Sequence, residues 1–329
     1  MTAMKVTRGK PIDLKAVRHA LTWADTRAKA QAMREYFDTL GDFEAVGTCP
    51  VCDHMYWRLD ARLWGSAIGA CQLCGHAWCD RVPSPRALDA YYKDEATKHY
   101  NHYTGDDSEA RIREVCVPKL EWAIESYADA YGRKPKTLLD VGSGSGHFLE
   151  AARRAGLGTF GHETNPAMRE WCQVNYKIYC TDSLADAGQR FDLVTSFNVI
   201  EHVPRPREFL RDMKRLGSKE SMIVLETPRY DSIGVEVEKS FPEYAGTGML
   251  VPYSHLHLFS KASLMHLFRS EGLEPSAAWF FGQDAKDILY RMGHTDDEVF
   301  ERFSVLQAAI DKCEAGNLMI FAAANKGES

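Results

Sequence analysis

The chain contains 329 residues, of which 45% are hydrophobic and 26% are charged, and its formal net charge is −6. This length accommodates one large α/β domain with a small satellite, or two modest domains, and it excludes a single tiny fold. No stretch approaches the ~20 apolar residues of a membrane span, and the N-terminus has no apolar run of signal-peptide length, so we expect a cytoplasmic protein. The acidic balance makes nucleic acid a disfavoured partner, because phosphate-backbone binding usually requires a basic excess.

Three regions precede the pattern of a large domain. Residues 1–46 carry apolar residues at helical spacing over 12–40, which predicts one or two helices that end at Gly41. Residues 47–82 are rich in cysteine and aromatic residues and are predicted to form a mini-domain of their own. Residues 83–131 again predict helices, including a longer one around 109–131. For four tyrosines of this region, a lid over a ligand and a plain helix core are both open: Tyr91, Tyr92, Tyr100 and Tyr103.

Residues 132–329 have the pattern of one larger α/β domain. Strands alternate with helices from Lys136 onward, which predicts parallel strands joined by crossover helices. The predicted strands are TLLDVG (137–142) and the segments 158–162, 177–181, 191–197, 221–226, 275–281 and 317–324. The predicted helices are 147–156, 166–175, 206–216 and 261–272, with a loop of about 30 residues before the last of them and a helical insertion at about 284–314.

The nine cysteines include two tight pairs, and this distribution suits a reducing compartment with one metal site. Cys49-x-x-Cys52 is followed after 18 residues by Cys71-x-x-Cys74, which matches the spacing of a four-thiolate zinc site. A closed four-sulfur site has no open coordination position, so we predict structural Zn²⁺. A thioredoxin-like redox pair, the alternative, would require one C-x-x-C beside a βαβ unit. Spare donors for the metal lie nearby at His54, His76 and Cys79.

A glycine-rich loop joins an apolar strand to an apolar helix in LLDVGSGSGHF, residues 138–148, and its glycines are Gly142, Gly144 and Gly146. The G-x-G-x-x-G fingerprint of NAD-binding proteins requires glycine at position 147, where this chain has His147. Asp140 stands two residues before the first glycine, and a carboxylate there would repel the pyrophosphate of a dinucleotide. It would attract S-adenosylmethionine, which has no phosphate and carries a sulfonium and an ammonium group.

Further polar residues follow the next three predicted strands. Glu163 ends the second strand, the position from which an acid accepts ribose hydroxyls in the dinucleotide-binding fold. Asp182 follows the third strand as a candidate partner of the adenine amino group, and Asn198 follows the fourth beside the methionine end. Carboxyl ends of parallel strands form the ligand-binding edge of an open α/β sheet, so we expect these residues to line one cleft with Asp140. A solvated polar loop residue is the alternative for each.

Taken in order, DVGSGSG, GHETNP, FDLVTSFNVIEHVPRP and SMIVLETP make residues 136–281 resemble a class I S-adenosylmethionine-dependent methyltransferase. FDLVTSFNVIEHV is similar to a signature of the small-molecule branch. The resemblance implies a Rossmann-like sheet with an antiparallel last strand. The preceding cysteine-rich module is similar to that of sugar C-methyltransferases of deoxysugar biosynthesis, which implies a sugar, sugar nucleotide or glycan terminus as the acceptor.

Methyl transfer from a sulfonium is an in-line displacement, so the protein has to align the acceptor and remove its proton. Glu201 and His202 follow the fourth predicted strand, and histidine has an ordinary pKa close to neutrality. In similar sugar methyltransferases an E-H pair at this position carries the base. The resemblance therefore implies His202 as general base, oriented by Glu201, with helix capping or core packing as the alternative role of His202.

A second pair of histidines lies in VPYSHLHLFS. His255 and His257 are two residues apart, so on an extended segment they share one face. One of them could join Glu201 and His202 around a divalent ion, as in RNA 2′-O-methyltransferases with an E-x-x-E-H-type site, although Asn198 occupies the first position of that pattern. A substrate-binding or structural role for the two histidines is the favoured interpretation.

The sequence thus predicts a methyltransferase that uses S-adenosylmethionine, contains structural zinc and acts on a small polar molecule. Three alternatives stay open. The first is an RNA methyltransferase that binds RNA through the zinc module, which the acidic balance disfavours. The others are a non-catalytic binding module and a nicotinamide oxidoreductase, the latter disfavoured by the glycine spacing.

Overall fold

The computed structural model describes residues 4–9, 23–94, 108–241, 246, 248–292 and 297–325. Its strands, in chain order, are β1 (Lys5–Arg8), β2 (Phe43–Ala45), β3 (Trp57–Leu63), β4 (Ser66–Cys71), β5 (Ala77–Cys79), β6 (Arg81–Pro83), β7 (Thr137–Val141), β8 (Gly158–His162), β9 (Cys180–Thr181), β10 (Phe191–Phe197), β11 (Gly217–Pro228), β12 (His257–Leu258), β13 (Glu274–Phe281) and β14 (Leu318–Asn325).

The helices alternate with strands through the C-terminal half, as the sequence pattern predicts. They are α1 (Trp23–Leu40), α2 (Pro85–Lys93), α3 (Ser108–Arg111), α4 (Val117–Tyr131), α5 (His147–Arg154), α6 (Pro166–Tyr176), α7 (Pro206–Leu216), α8 (Ile233–Ser240), α9 (Lys261–Ser270), α10 (Asp284–Arg291), α11 (Asp297–Arg302) and α12 (Ser304–Lys312). A π-helical turn, Ile112–Cys116, joins α3 to α4.

The central sheet has eight strands in the order β1-β13-β14-β11-β10-β7-β8-β9. Neighbouring strands run parallel except at β14, which is antiparallel to both β11 and β13. The order reverses between β7 and β10, so a crevice opens there at the carboxyl ends of the strands, where doubly wound sheets bind ligands. The predicted α/β architecture with an antiparallel last strand is confirmed.

The structure departs from the predicted elements at several places, including the strands β2–β6 and β12, which have no predicted counterpart. The strand predicted over 177–181 shrinks to β9, because Lys177 ends α6 in a left-handed conformation, with φ +59°. β11 starts at Gly217, four residues before the apolar run that predicted it. β1 and α8 were not predicted. Four half-exposed residues give β1 no apolar pattern, and α8 lies within the segment interpreted as a loop.

A second sheet, with the order β12-β5-β4-β3, contains three strands of the cysteine-rich region, β3, β4 and β5. Its edge strand β12 comes from the C-terminal part of the chain and pairs antiparallel with β5. β2 and β6 form a separate two-stranded ribbon beside it. The module of residues 47–82 is therefore built into the larger domain through β12.

Buried side chains form three apolar clusters. Two of them cover the opposite faces of the central sheet, and the first also contains three of the paired cysteines. The third joins α1, the small sheet and the segment around residues 250–258, with Phe37, Ile68 and Tyr253 fully buried. Within the described ranges, we find no helix with the length and apolar character that crossing a membrane requires.

Candidate active site

The loop after β7 adopts backbone conformations that glycine takes most readily. Gly144 has φ +53° and Gly146 has φ +79°. A Cβ atom at Gly146 would lie 2.3 Å from Sγ of Cys172, whereas one at Gly144 would meet no heavy atom of the described residues within 4 Å. Packing thus requires glycine at Gly146, and Gly144 borders open space where a ligand can approach the backbone. Gly142 packs against Val199.

Glu163 lies at the end of β8, and its carboxylate contacts the glycine loop. Oε2 accepts a hydrogen bond of 2.8 Å from the backbone N–H of Gly144, and Oε1 accepts one of 2.8 Å from that of Asn165. Burial raises the pKa of Glu163. Asp182 is further out, with a 63% exposed side chain 3.4 Å from Arg169. The structure therefore brings Glu163 to the loop and leaves Asp182 at the surface.

Asp140 is buried behind the loop. Its Oδ1 accepts a hydrogen bond of 2.7 Å from Oγ1 of Thr195 on the neighbouring strand. Burial raises the pKa of Asp140 to about 7, because the hydrogen bond from Thr195 offsets only part of the loss of hydration. A cationic ligand above the loop would favour the ionised form of this carboxyl group.

Asn198 lies beside a buried ion pair that the sequence analysis did not predict. Its backbone is left-handed, with φ +55°, and its Nδ2 donates a hydrogen bond of 2.7 Å to Oε1 of Glu226. Nζ of Lys119 lies 2.6 Å from Oε2 of the same carboxylate. Glu226 lies near the carboxyl end of β11, and this position could have identified it as a candidate site residue from the sequence. Lys119 belongs to α4, 107 residues away, so no local pattern joins the two.

Glu201 and His202 lie in the turn after β10. Nδ1 of His202 lies 2.7 Å from the carbonyl oxygen of Ser254. A carbonyl only accepts hydrogen bonds, so Nδ1 carries the hydrogen and the neutral ring has its acceptor lone pair on Nε2. Nε2 lies 3.7 Å from Oε1 of Glu201. The N-cap of α7 is Arg205, so His202 does not cap that helix.

The carboxyl group of Glu201 is 1% exposed, and its two oxygen atoms differ in their hydrogen bonds. Oε2 accepts a hydrogen bond of 3.1 Å from Thr227, whereas Oε1 has no hydrogen-bond partner among the described residues. Burial raises the pKa of Glu201 to about 8, and the nearby carboxylate of Glu226 adds to the shift. The ionised form of this carboxyl group would stabilise an imidazolium formed on His202.

The expectation that His255 and His257 share one face of an extended segment is wrong. The backbone N–H of His255 donates to the carbonyl of Val251 at 2.7 Å, so the chain still turns there and β12 begins only at His257. The ring of His255 lies 5.0 Å from that of His202. Nδ1 of His257 instead lies 3.3 Å from Nε2 of His76 in the cysteine module.

Glu201, His202 and His255 together form a group that can hold a metal ion. One ligand atom from each lies within 4.8 Å of the others. Nδ1 of His255 donates to the carbonyl of Met249 at 2.7 Å, so its neutral ring also has the lone pair on Nε2. Backbone carbonyls that hold Nδ1–H in this way are typical of metal-binding histidines.

The four paired cysteines converge as predicted. Sγ of Cys49 lies 3.6 Å from that of Cys74, and Sγ of Cys52 lies 3.5 Å from that of Cys71. These separations exclude disulfide bonds of about 2.05 Å and suit the edges of a tetrahedron with Zn–S bonds of about 2.3 Å. Burial raises the pKa of Cys52 to about 11, a shift that a bound cation would reverse by favouring the thiolate.

The tyrosines of the 83–131 region differ in their surroundings. The ring of Tyr91 lies 5.1 Å from that of Tyr36, in the core. The ring of Tyr92 lies 6.2 Å from that of His202, and its carbonyl accepts a hydrogen bond of 2.7 Å from Asn165. Of Tyr91 and Tyr92, it is therefore Tyr92 that borders both parts of the candidate site. Two further tyrosines lie outside the described residues: Tyr100 and Tyr103.

Comparison of the sequence with protein-family profiles finds a match over the region that contains this site. A sequence profile described as "Methyltransferase domain" matches residues 111–277, just over half of the chain. The chain belongs to this methyltransferase family. Its central sheet has the Rossmann-like fold that the sequence predicts, and the expectation of a methyltransferase domain is confirmed.

Two curated relatives are ubiquinone biosynthesis O-methyltransferases. The protein of Sinorhizobium medicae is 29% identical over 102 residues, which cover 26% of this methyltransferase and 41% of the relative. The protein of Cereibacter sphaeroides (strain KD131) is 29% identical over 170 residues, which cover 46% of this chain and 69% of the relative. The match to the first relative thus spans less than half of its length.

Similar solved structures include the plantazolicin methyltransferase BamL in complex with a triazolic desmethylPZN analog and SAH, at 13% identity and a TM-score of 0.48. The match covers 74% of this chain and 98% of that one. Magnesium protoporphyrin IX methyltransferase from Synechocystis PCC 6803 is 15% identical with a TM-score of 0.47, over 73% of this chain and 99% of that one.

Proposed function

We propose that this methyltransferase transfers a methyl group to a hydroxyl group of a small polar acceptor, with His202 as general base. The observation that carries the proposal is the fixed tautomer of His202, whose Nδ1 is held by Ser254 so that Nε2 presents the basic lone pair. A neutral histidine held in this tautomer can take up a proton at Nε2, as general base catalysis requires.

When bound, S-adenosylmethionine supplies an activated methyl group on its sulfonium. The acceptor oxygen has to lose its proton as it takes that methyl group, and Nε2 of His202 would take the proton. The imidazolium that results lies 3.7 Å from Oε1 of Glu201 and favours the ionised form of that carboxyl group. Glu201 would therefore orient the base and stabilise its protonated state.

The residues proposed to hold the cofactor surround the crevice between β7 and β10. The glycine loop, with Gly144 facing open space, would let the nucleoside approach the backbone, and Glu163 would accept its ribose hydroxyls. Asp140 would interact electrostatically with the cationic end. Asp182 and Asn198 are proposed partners of the adenine and methionine ends. Gly142 and Gly146 would shape the loop by packing.

We also propose that Cys49, Cys52, Cys71 and Cys74 hold structural Zn²⁺, because four convergent thiols without an open position suit a closed site. Bound zinc would supply no chemistry to the transfer reaction. The division into 1–46, 47–82, 83–131 and 132–329 and the cytoplasmic location stay predictions from the sequence.

Two classes of acceptor are proposed for the cleft. The cysteine-rich module and the E-H pair favour a sugar, a sugar nucleotide or a glycan terminus, as the resemblance to sugar C-methyltransferases implies. That resemblance concerns the class of molecule, and a hydroxyl group is proposed as the methylated site because the curated relatives are O-methyltransferases. The second class is a hydroxylated aromatic compound, because the curated relatives are ubiquinone biosynthesis O-methyltransferases. The ring of Tyr92, next to His202, would suit a planar acceptor of this kind.

A divalent ion is a second candidate mechanism for the same reaction. The observation that favours it is the orphaned Oε1 of Glu201 within 4.8 Å of ligand atoms on His202 and His255. Such an ion would hold the acceptor oxygen and lower the pKa of its hydroxyl group. Activity of His255→Ala and activity after treatment with EDTA separate the two mechanisms, since only the metal mechanism requires His255 and an added cation.

The experiment that tests the proposed function is a mass-spectrometric screen of the full chain with S-adenosylmethionine and the two acceptor classes. We expect a product one methylene heavier in one class, formed by the wild type and by the control His266→Ala but not by His202→Ala. Methylation of a carbon or nitrogen atom would contradict the hydroxyl acceptor. Full activity of His202→Ala would contradict the base.

A further inference from the structure

A five-residue segment, 254–258, lies between the cysteine module and the Glu201–His202 pair. It is part of neither the module sequence, 47–82, nor the loop that follows β10. It nevertheless makes backbone contacts to both. The position of this segment therefore determines where the cysteine module lies relative to Glu201 and His202.

On the module side, the segment ends in β12, which pairs with β5. His257 lies opposite Trp78 and Leu258 opposite Ala77 in this antiparallel ladder. The backbone N–H of Cys79 donates a hydrogen bond of 3.1 Å to the carbonyl of Leu256. The pairing thus holds the segment at the edge of the module sheet.

On the catalytic side, the same segment holds Glu201 and His202. The backbone N–H groups of Leu256 and His257 donate to the carbonyl of Glu201 at 2.8 Å and 3.2 Å. The carbonyl of Ser254 accepts the Nδ1–H of His202 at 2.7 Å. The position of the general base is therefore set from this segment.

Two of the four thiols, those of Cys71 and Cys74, lie at the turn between the paired strands β4 and β5. Cys71 ends β4, Cys74 precedes β5, and the backbone N–H of Cys71 donates to the carbonyl of His76 at 2.7 Å. The buried ring of His76 then reaches across to Nδ1 of His257 at 3.3 Å. One continuous set of short contacts thus joins the metal-binding knuckle to the segment that holds His202.

We propose that the cysteine module is a positioning element of the catalytic site, with His76 as its positioning residue. Metal bound by the four thiols sets the place of β5, and β5 sets the place of segment 254–258 and of His202. The cofactor loop follows β7 and contacts the end of β8. None of the hydrogen bonds described above for segment 254–258 involves either strand. Loss of the metal or of His76 therefore lowers turnover and leaves cofactor affinity intact. This inference rests on the proposed function for the role of His202.

The expected size of the effect follows from the geometry of proton transfer. A displacement of about 1 Å in a catalytic group costs up to about a hundredfold in rate. His76→Leu keeps the four thiols and removes the ring nitrogen that contacts His257. We expect it to lower kcat about tenfold or more, with the Kd for S-adenosylmethionine within about twofold of wild type.

The test uses the full chain and measures zinc content, kcat, KM for the acceptor and Kd for S-adenosylmethionine on each variant. His76→Gln, whose amide can restore the contact to His257, is expected to recover part of kcat. Leu73→Ser alters an exposed side chain of the same knuckle, 64% exposed, and is expected to keep wild-type kcat. Cys79→Ala is a second variant on β5, because Sγ of Cys79 lies 3.6 Å from the carbonyl of His255.

Stepwise removal of zinc from the wild type with a chelator gives an independent measurement. The proposal expects kcat to fall in proportion to the zinc released while Kd for S-adenosylmethionine holds. Wild-type kcat in both His76→Leu and Cys79→Ala, or loss of cofactor affinity in step with kcat, would overturn it. His202→Ala reports on the base alone. If that variant stays active, the base is wrong, and a fall of kcat in His76→Leu still supports positioning of the loop that contains Glu201.

Discussion

The cofactor edge of the sheet and the proton-transfer site differ in how the chain assembles them. At the cofactor edge, the glycine loop and Glu163 come from consecutive strand–helix units, and the bond from Gly144 to Glu163 spans 19 residues. At the second site, His202 is held by Ser254, 52 residues later, and His76 contacts His257 across 181 residues. Local motifs predict the first region, whereas the second depends on the completed fold.

The largest expected effect concerns the buried ion pair beside the cofactor edge. Lys119→Met would leave the carboxylate of Glu226 buried without its cation, so we expect a loss of about 3–5 kcal/mol in the free energy of unfolding. Denaturant unfolding measures it. Lys5→Met is the control, because the pairs of Lys5 with Glu125 and Asp129 are exposed and contribute at most about 1 kcal/mol. Equal losses in the two variants would contradict the buried pair.

Substitutions at two glycines of the loop distinguish a position that is required for packing, Gly146, from one that faces open space, Gly144. Gly146→Ala places a side chain against Cys172 in a left-handed conformation, so we expect a loss of about 2–4 kcal/mol from strain and overpacking. Gly144→Ala meets open space and costs about 1 kcal/mol from its backbone conformation. Thermal unfolding ranks the variants. A ranking in the reverse order would show that Gly144, not Gly146, is the packed position.

The proposed ribose contact gives a smaller effect on binding. Glu163→Ala removes the acceptor of the ribose hydroxyls and the carboxylate that holds Gly144, so S-adenosylmethionine should bind at least about tenfold more weakly, a loss of about 1.4 kcal/mol. Isothermal titration calorimetry measures this. Glu220→Ala, at a 61% exposed glutamate on β11, provides the control. Unchanged affinity of Glu163→Ala would remove the ribose role.

The smallest expected effect is a dependence of cofactor binding on pH. The pKa of Asp140 is raised to about 7 in the free protein, and a bound cation favours its carboxylate. Affinity for S-adenosylmethionine should therefore rise as pH increases from about 6 to about 7, by at most about tenfold per unit, and then level off. Asp140→Asn should flatten this profile.

Asp284 supplies the matched control, because burial raises its pKa to about 7 as well and it lies near Asn317, beyond β13. Asp284→Asn should keep the wild-type profile. In the absence of cofactor, the raised pKa of Asp140 affects the free energy of unfolding, and this effect decreases as pH rises. An acid whose folded pKa lies above its unfolded value of about 4 stabilises the fold fully below pH 4, and this contribution disappears as pH rises through 7. A flat binding profile in the wild type would contradict a role for Asp140.

These contrasts explain how much of the molecule could be predicted from the sequence. Strands β8 and β10 and helix α7 match their predicted bounds, because apolar runs between turn residues determine them locally. The four cysteines converge because each C-x-x-C knuckle is local and one hairpin joins them. No local sequence pattern predicts the ion pair of Lys119 with Glu226, because its partners lie on a helix and a strand that are distant in the chain.

The separation of His255 from His257 could not be predicted for a related reason. The sequence predicts alternation along an extended strand, but a turn closed by a hydrogen bond to the carbonyl of Val251 delays the strand until His257. That turn depends on contacts with the loop of Glu201 and with β5. Pairing with another strand, rather than the local sequence, decides where β12 starts.

His202 is proposed to remove the acceptor's proton in a cleft that binds S-adenosylmethionine without its help. Single-turnover methyl transfer by His202→Ala, at saturating cofactor and with Kd measured on the same sample, isolates this step. We expect a chemical step slower by about a hundredfold or more and an unchanged Kd. A transfer rate equal to that of the wild type, with the cofactor fully bound, would contradict it.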